Sequence, residues 1–145
     1  MMSLYNVFDI SGSGMSSQSI RMNSISSNIA NAESVTSSLG DVYRAKKPIF
    51  QTVFLDEMDG NQEFGVSGAG QGVLVTDIVE DQSPLDMRYE PDHPFANEEG
   101  YVAYPNVNVI AEMTDMISAS RGFQNNVEVL NTTRQMMQKI INMGQ

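Results

Sequence analysis

The chain has 145 residues, about one ordinary domain, and no Cys, which excludes disulfides and thiol chemistry. Its net charge of −10 argues against nucleic acid as a partner, because phosphate binding demands clustered Lys and Arg. No apolar run approaches the roughly 18 residues of a membrane-spanning helix.

The charge is unevenly spread. Residues 1–55 hold three acids and four bases, residues 101–145 three of each, and residues 56–100 twelve acids and one base, Arg88. The negative excess therefore lies in the middle of the chain, between two nearly neutral ends rich in Ser, Asn, Gln and Met. The start, "MMSLYNVFDISGSGMSS", lacks the basic opening and compact apolar core of a cleaved secretion signal, so these rules alone predict a cytoplasmic location.

Residues 4–32 contain no Pro and keep a heptad spacing through Leu4, Phe8, Ser11, Met15, Gln18, Met22, Ile25, Ile29 and Ala32. Such a stripe runs along one face of a helix. "SGSG" at 11–14 weakens that helix by about 1 kcal/mol per Gly. Ser, Asn and Gln stand where a solvated helix carries Lys and Glu, which suits contact with protein on several sides. "SSNIANAES" closes the segment and sets Asn28 and Asn31 beside Ile25, Ile29 and Ala32. A charge buried there would be costly, whereas an amide is tolerated once paired.

Residues 34–48 read as a turn-rich link with Gly40 and Pro48. "PIFQTVFLDE" alternates as a strand, "DEMDGNQEFGVSGAGQG" is a loop, and the β-branched run "GVLVTDIVEDQ" at 72–82 is a second strand. Residues 83–106 carry four Pro, so they extend and turn, with a short strand near "YVAY". This middle is too small for a large core of its own and is expected to lean on the helices. Helical spacing returns at Asn108, a good N-cap, and Gly144 follows the last turn. The stripe here is Val109, Met113, Met116, Ser120, Phe123, Val127, Leu130, Met137 and Ile141.

The predicted fold is α+β: long N- and C-terminal helices pair as a coiled coil around a small β-rich insert. The predicted divisions are an N-terminal helix (1–33), a linker (34–48), an acidic insert (49–105) and a C-terminal helix (106–145). Unpartnered helices are marginal in water, so the ends of a free monomer are expected to order on association.

Catalytic and ligand-binding signals are weak. His93 in "EPDHPF" is the only His and reads as a surface-turn residue, since metal or acid–base work needs further convergent groups. In "DEMDGNQEF", placing Gly60 at the sixth position of a calcium loop puts Leu55 and Val66 where oxygen ligands are required. "GAGQG" precedes a strand rather than a helix, so it is no phosphate cradle. "NTT" at 131–133 is a formal glycosylation sequon inside a predicted helix. No cofactor, metal or catalytic set is expected. The eleven Met fit either an ordinary helix core or an adaptable binding surface.

Two stretches carry a family resemblance. "SSNIANAESVTSSLGDVYRAKKPIFQ" resembles the N-terminal signature of bacterial flagellar axial proteins. The C-terminal region resembles the proximal rod members of that family at Pro105-Asn106-Val107-Asn108, "MISASR" (116–121) and "NVEVLNT" (126–132). The pattern of Tyr89, Pro91, His93 and Pro94 matches the family's middle segment. The resemblance implies a structural subunit of the rod, the periplasmic drive shaft, which corrects the cytoplasmic default. It implies type III export without signal cleavage and helical assembly through the terminal helices. The implied partners are copies of the chain itself, other rod proteins, the membrane (MS) ring, the rod adaptor and the export apparatus. On this reading Leu4, Phe8, Met15, Met22, Ile25, Ile29, Met113, Met116, Phe123, Val127, Leu130, Met137 and Ile141 face assembly partners, and Asn28, Asn31, Asn106 and Asn108 supply hydrogen bonds at helix ends or between subunits. Another axial protein of distal-rod or hook type, a small enzyme built on carboxylates around His93, and a binding module displaying its helices are the competing expectations.

Overall fold

A computed structural model describes residues 4–36, 41–54 and 71–143; the side chains of Leu4, Tyr5, Phe54 and Gln71 lie outside the described set. Six elements follow in order: α1 (Leu4–Ala30), β1 (Lys46–Phe54), β2 (Gln71–Glu80), β3 (Asp86–Tyr89), β4 (Tyr101–Tyr104) and α2 (Val109–Met143). The molecule is thus α+β, with a long helix at each end and antiparallel strands between them. Residues 56–70 of the predicted loop, Gly40 and the Gly144 stop signal fall outside the described residues, and the loop's last two residues, Gln71 and Gly72, lie in β2 instead.

The strands form two ribbons, β1 with β2 and β3 with β4. In the second ribbon Asp86 pairs Tyr104 and Tyr89 pairs Tyr101. Sequence patterning missed β3, whose four residues alternate polar and apolar but are too few to stand out in a stretch with four Pro. β1 starts at Lys46, inside the predicted linker, and takes in Pro48. Proline is admissible there because a two-stranded ribbon leaves an open edge. Lys46 already points its N–H away from β2, toward α1, and every second residue shares that direction. Gly100 is the described residue with left-handed backbone (φ 82°), and a Cβ there would meet the Tyr89 ring at 2.9 Å.

The chain divides into two compact units. A terminal unit comprises Met1–Ile20, Ile49–Asp77 and Ala119–Gln145, and a central unit comprises Arg21–Pro48 and Ile78–Ser118. Within the terminal unit α1 and α2 run antiparallel at close range. Gly14 lies against Asn126 and Gly122 against Gln18, where an added Cβ would come within 2.9 Å and 3.3 Å of those amide side chains. Ala119 is fully buried, and Ser11, Ser17 and Thr133 are buried with it. The ribbon is tied to α1 by serines: Ser13 Oγ accepts from Val73 N at 3.1 Å and Ser17 Oγ donates to Val73 O at 3.2 Å.

Within the central unit the helices are again antiparallel, as Arg21 pairs with Asp115 and Asn28 with Glu112. The apolar core is Ile25, Ala32, Val42, Ala45, Val102 and Ala103. Asp81 N donates to Ala45 O at 2.8 Å, which extends the β1–β2 pairing one residue past the strand ends.

Candidate assembly interface

In both units the buried face of each helix is one position off the face that large apolar residues would select. On α2 the inward positions are Glu112, Met116, Ala119, Phe123, Asn126, Leu130, Thr133 and Met137, in alternating steps of four and three. Predicted and observed faces share Met116, Phe123, Leu130 and Met137, which are all half-buried. Val127 is also half-buried, whereas Val109, Met113 and Ile141 are 37%, 55% and 64% exposed. On α1 the inward positions are Ser11, Gly14, Gln18, Arg21, Ile25, Asn28 and Ala32. Phe8, Met15, Met22 and Ile29 are half-buried beside them, and Ile25 is buried. Leu4 carries a side chain outside the described set.

The reason is steric. Backbones as close as those at Gly14 and Gly122 leave room for Gly, Ala, Ser and Thr, and large side chains are displaced to the flanks. Ile110, Met113 and Ile117 of α2 are consequently 78%, 55% and 56% exposed in the central unit, and Val129, Met136 and Ile140 are 44%, 48% and 57% exposed in the terminal unit. Clustered exposure of this kind marks an interaction surface, whereas scattered single residues do not.

The four asparagines have distinct roles. Asn28 is 1% exposed, and all four of its hydrogen-bonding positions are used inside the chain. Its Nδ2 donates to Lys46 O at 3.0 Å and to Glu112 Oε2 at 3.0 Å, and its Oδ1 accepts from Lys46 N at 2.8 Å and from Tyr43 Oη at 2.9 Å. The side chain thus stands in for a strand neighbour at the start of β1, with Ser24 Oγ donating to the same Lys46 carbonyl at 2.8 Å. Burial of this amide is complete within one chain and leaves it no capacity for a neighbouring subunit. Asn31 Nδ2 donates to Ser27 O at 2.8 Å and closes the end of α1. Asn106 Oδ1 accepts from Ala45 N, while its Nδ2 reaches Asp81 O, Ser83 O and Ser83 Oγ at 2.8–3.2 Å. Asn108 caps α2, accepting from Ile110 N and Ala111 N, both at 3.1 Å.

Sequence reasoning passed over Glu112 and Tyr43, the partners that complete Asn28. Glu112 is detectable in retrospect, since it opens the uninterrupted four–three repeat of α2. Tyr43 left no signal, because its partner is fifteen residues away across a turn.

Electrostatics organise the central unit further. Lys47 Nζ pairs with Asp81 at 2.6 Å and Arg88 Nε with Asp86 at 3.1 Å. The bond from Lys47 first, then those from Ser83, lower the Asp81 carboxyl from its ordinary 3.8 to about 2, and the same ion pair raises Lys47. Burial, then the hydrogen bond to Glu90, raises Tyr104, whose ring also lies 4.2 Å from the Arg88 guanidinium. His93 accepts from Phe95 N at 3.2 Å within its turn, and no group of three or more metal-ligating side chains occurs among the described residues.

Two family models match the chain: "Flagella basal body rod protein" over residues 8–36 and "Flagellar basal body rod FlgEFG protein C-terminal" over residues 98–143. The chain is similar over its length to curated proteins named flagellar basal-body rod protein FlgC. It is 46% identical to those of Escherichia coli and Salmonella typhimurium over 99% of this chain and all of theirs. To that of Borreliella burgdorferi it is 35% identical over 97% of both.

Proposed function

Because this chain belongs to the family of flagellar basal-body rod protein FlgC, we propose that it is a structural subunit of the rod that assembles helically through its terminal helices. Membership is of a structural rod family, located in the basal body and joined there to other rod proteins. The proposal adds the mode of assembly. Copies cross the inner membrane through the flagellar type III export apparatus, form part of the periplasmic drive shaft, and meet the MS ring and the rod adaptor at its base.

The observation that carries this reading is that small and polar residues hold ten of the fifteen inward positions of the helix pair, while Ile110, Met113, Ile117, Val129, Met136 and Ile140 stay exposed. Ile110, Met113 and Ile117 have no cover among the described residues, and burying three such side chains is worth about 1.5–3 kcal/mol each. In a rod they would be covered by neighbours, along with Phe8, Met15, Met22 and Ile29 of α1. Met116, Phe123, Val127, Leu130, Met137 and Ile141 of α2 would join them at their exposed edges. Asn28, Asn31, Asn106 and Asn108 then shape the surface by holding the linker and the helix ends. The negative charge of the 49–105 insert disfavours premature sticking of exported chains.

The test is isolation of basal bodies from cells whose sole copy of this chain carries Met113→Asp with Ile117→Asp. Rods are expected to be absent, with the chain still exported and its monomer melting as before. Intact rods of normal length would contradict assembly through this face, and absence of the wild-type chain from isolated rods would remove the whole reading.

A further inference from the structure

The chain has eight Lys and Arg, and their pairing differs between the units. All five in the central unit are engaged. Arg21, Lys47 and Arg88 hold carboxylates, Arg44 donates to the Asp81 and Ser83 carbonyls, and Lys46 lies 5.6 Å over the Tyr43 ring. The three in the terminal unit, Arg121, Arg134 and Lys139, are all exposed on α2, and no carboxylate among the described residues pairs with them. In a chain of charge −10, three bases on one helix segment with no carboxylate partner among the described residues are conspicuous. Arg121 and Lys139 lie eighteen residues apart, about five turns, and so share one side of the helix. The exposed Val129, Met136 and Ile140 run beside that side, and Glu128 is the one acid in residues 119–143.

A surface of complementary character exists on the same chain. The β3–β4 ribbon and its connecting turn, residues 86–101, hold five acids against Arg88, which Asp86 already neutralises. Asp92, Glu98 and Glu99 are exposed and have no ion pair among the described residues. The same ribbon and turn expose the apolar side chains Met87, Tyr89, Phe95 and Tyr101, with the two tyrosines in edge-on contact at 5.3 Å.

We propose that the α2 face bearing Arg121, Lys139, Val129, Met136 and Ile140 docks on the acidic, aromatic β3–β4 ribbon of a second copy of this chain. Charge complementarity selects the occupant: α2 against α2, or ribbon against ribbon, would set like charges against each other, whereas α2 against a ribbon brings opposite signs together around apolar centres. Two different patches meeting make a heterologous contact, which repeats head to tail and extends as an open helix unless the rotation closes. The inference rests on the assembly reading above and adds the sites and polarity of one self-contact.

Charge-swap sedimentation of the full purified chain tests it. Wild-type chain is expected to self-associate with a dependence on concentration, and to do so more weakly as salt rises. Arg121→Glu with Lys139→Glu should weaken self-association about tenfold or more, and so should Glu98→Lys with Glu99→Lys, with helicity unchanged in both. Mixing the two variants should restore association, because each acidic helix then meets a basic ribbon and each basic helix an acidic one. Restoration excludes misfolding as the cause of the loss. Failure of the mixture to associate would overturn the proposal, as would a wild-type chain that stays monomeric at millimolar concentration or a charge effect independent of concentration. If the charge variants still build rods while the mixture shows no rescue, the contact is wrong and the rod reading stands.

Discussion

The two units solve the same problem, holding α1 against α2, by opposite means. In the central unit the helices are joined by polar groups, each satisfied: Asn28 with Glu112, Arg21 with Asp115, and the Tyr43 hydroxyl on the Asn28 amide. In the terminal unit they are joined by the absence of side chain, with Gly14, Gly122 and Ala119 letting the helices approach, and Gln18 Oε1 is buried with no hydrogen-bond partner among the described residues. A polar lock has one geometry and loses several bonds when it shifts. A small-residue contact has no directional bonds and tolerates sliding. The central unit is therefore expected to set the register of the helix pair, and the terminal unit to adjust to neighbours.

The largest effect should come from breaking the lock. Asn28→Ala strands Glu112 Oε2 and Lys46 N, while Lys46 O keeps Ser24 Oγ and the Tyr43 hydroxyl keeps Ser27 Oγ; groups so stranded cost about 1–3 kcal/mol each. Chemical denaturation should show a loss of about 3 kcal/mol or more; a loss below about 1 kcal/mol would mean water replaces the amide and the lock is not what sets the register. Next is Ala119→Leu, which adds bulk to a fully buried position of the terminal unit. Overpacking there should cost about 1–3 kcal/mol. A near-neutral result would show that the terminal helices slide apart freely, which sharpens the contrast.

Gly12 should behave oppositely to these, because a Cβ at that position meets nothing within 4 Å. Gly12→Ala is expected to stabilise the free chain by about 1 kcal/mol through helix propensity, read as a raised midpoint of thermal unfolding. A fall would show that α1 does not persist as a helix through "SGSG" in solution.

The smallest effect is electrostatic and belongs to the central unit. The carboxyl of Asp81 titrates lower in the folded chain than in the unfolded one, so its contribution is present above pH about 4 and is lost as pH falls toward about 2. Asp81→Asn should leave stability below pH about 2 unchanged and lower it slightly above pH about 4, flattening that part of the stability–pH curve by the small amount expected of an exposed ion pair. An unaltered acid limb in the variant would assign the slope to other carboxylates.

Much of this was written in the sequence. The Pro-free heptads fix two long helices, because a four–three spacing has a face only in a helix. Asn108 announces the start of α2. The residues quoted from "SSNIANAES" and "MISASR" pointed to the axial family, and full-length relatives support it. What spacing could not decide was which side of each stripe turns inward. Met15, Met22 and Ile29, or Gly14, Arg21 and Asn28, each complete a legitimate heptad with Ser11, Gln18, Ile25 and Ala32. Only the distance between helix backbones chooses, and that distance is a property of the pair. The exposed ribbon strand β3 and the Tyr43–Asn28–Glu112 network were equally illegible, since both depend on residues distant in sequence meeting in space. The sequence by itself determined the elements, because periodicity and capping are local. The tertiary structure decided the faces and the partners of the amides, because those follow from how closely the elements pack.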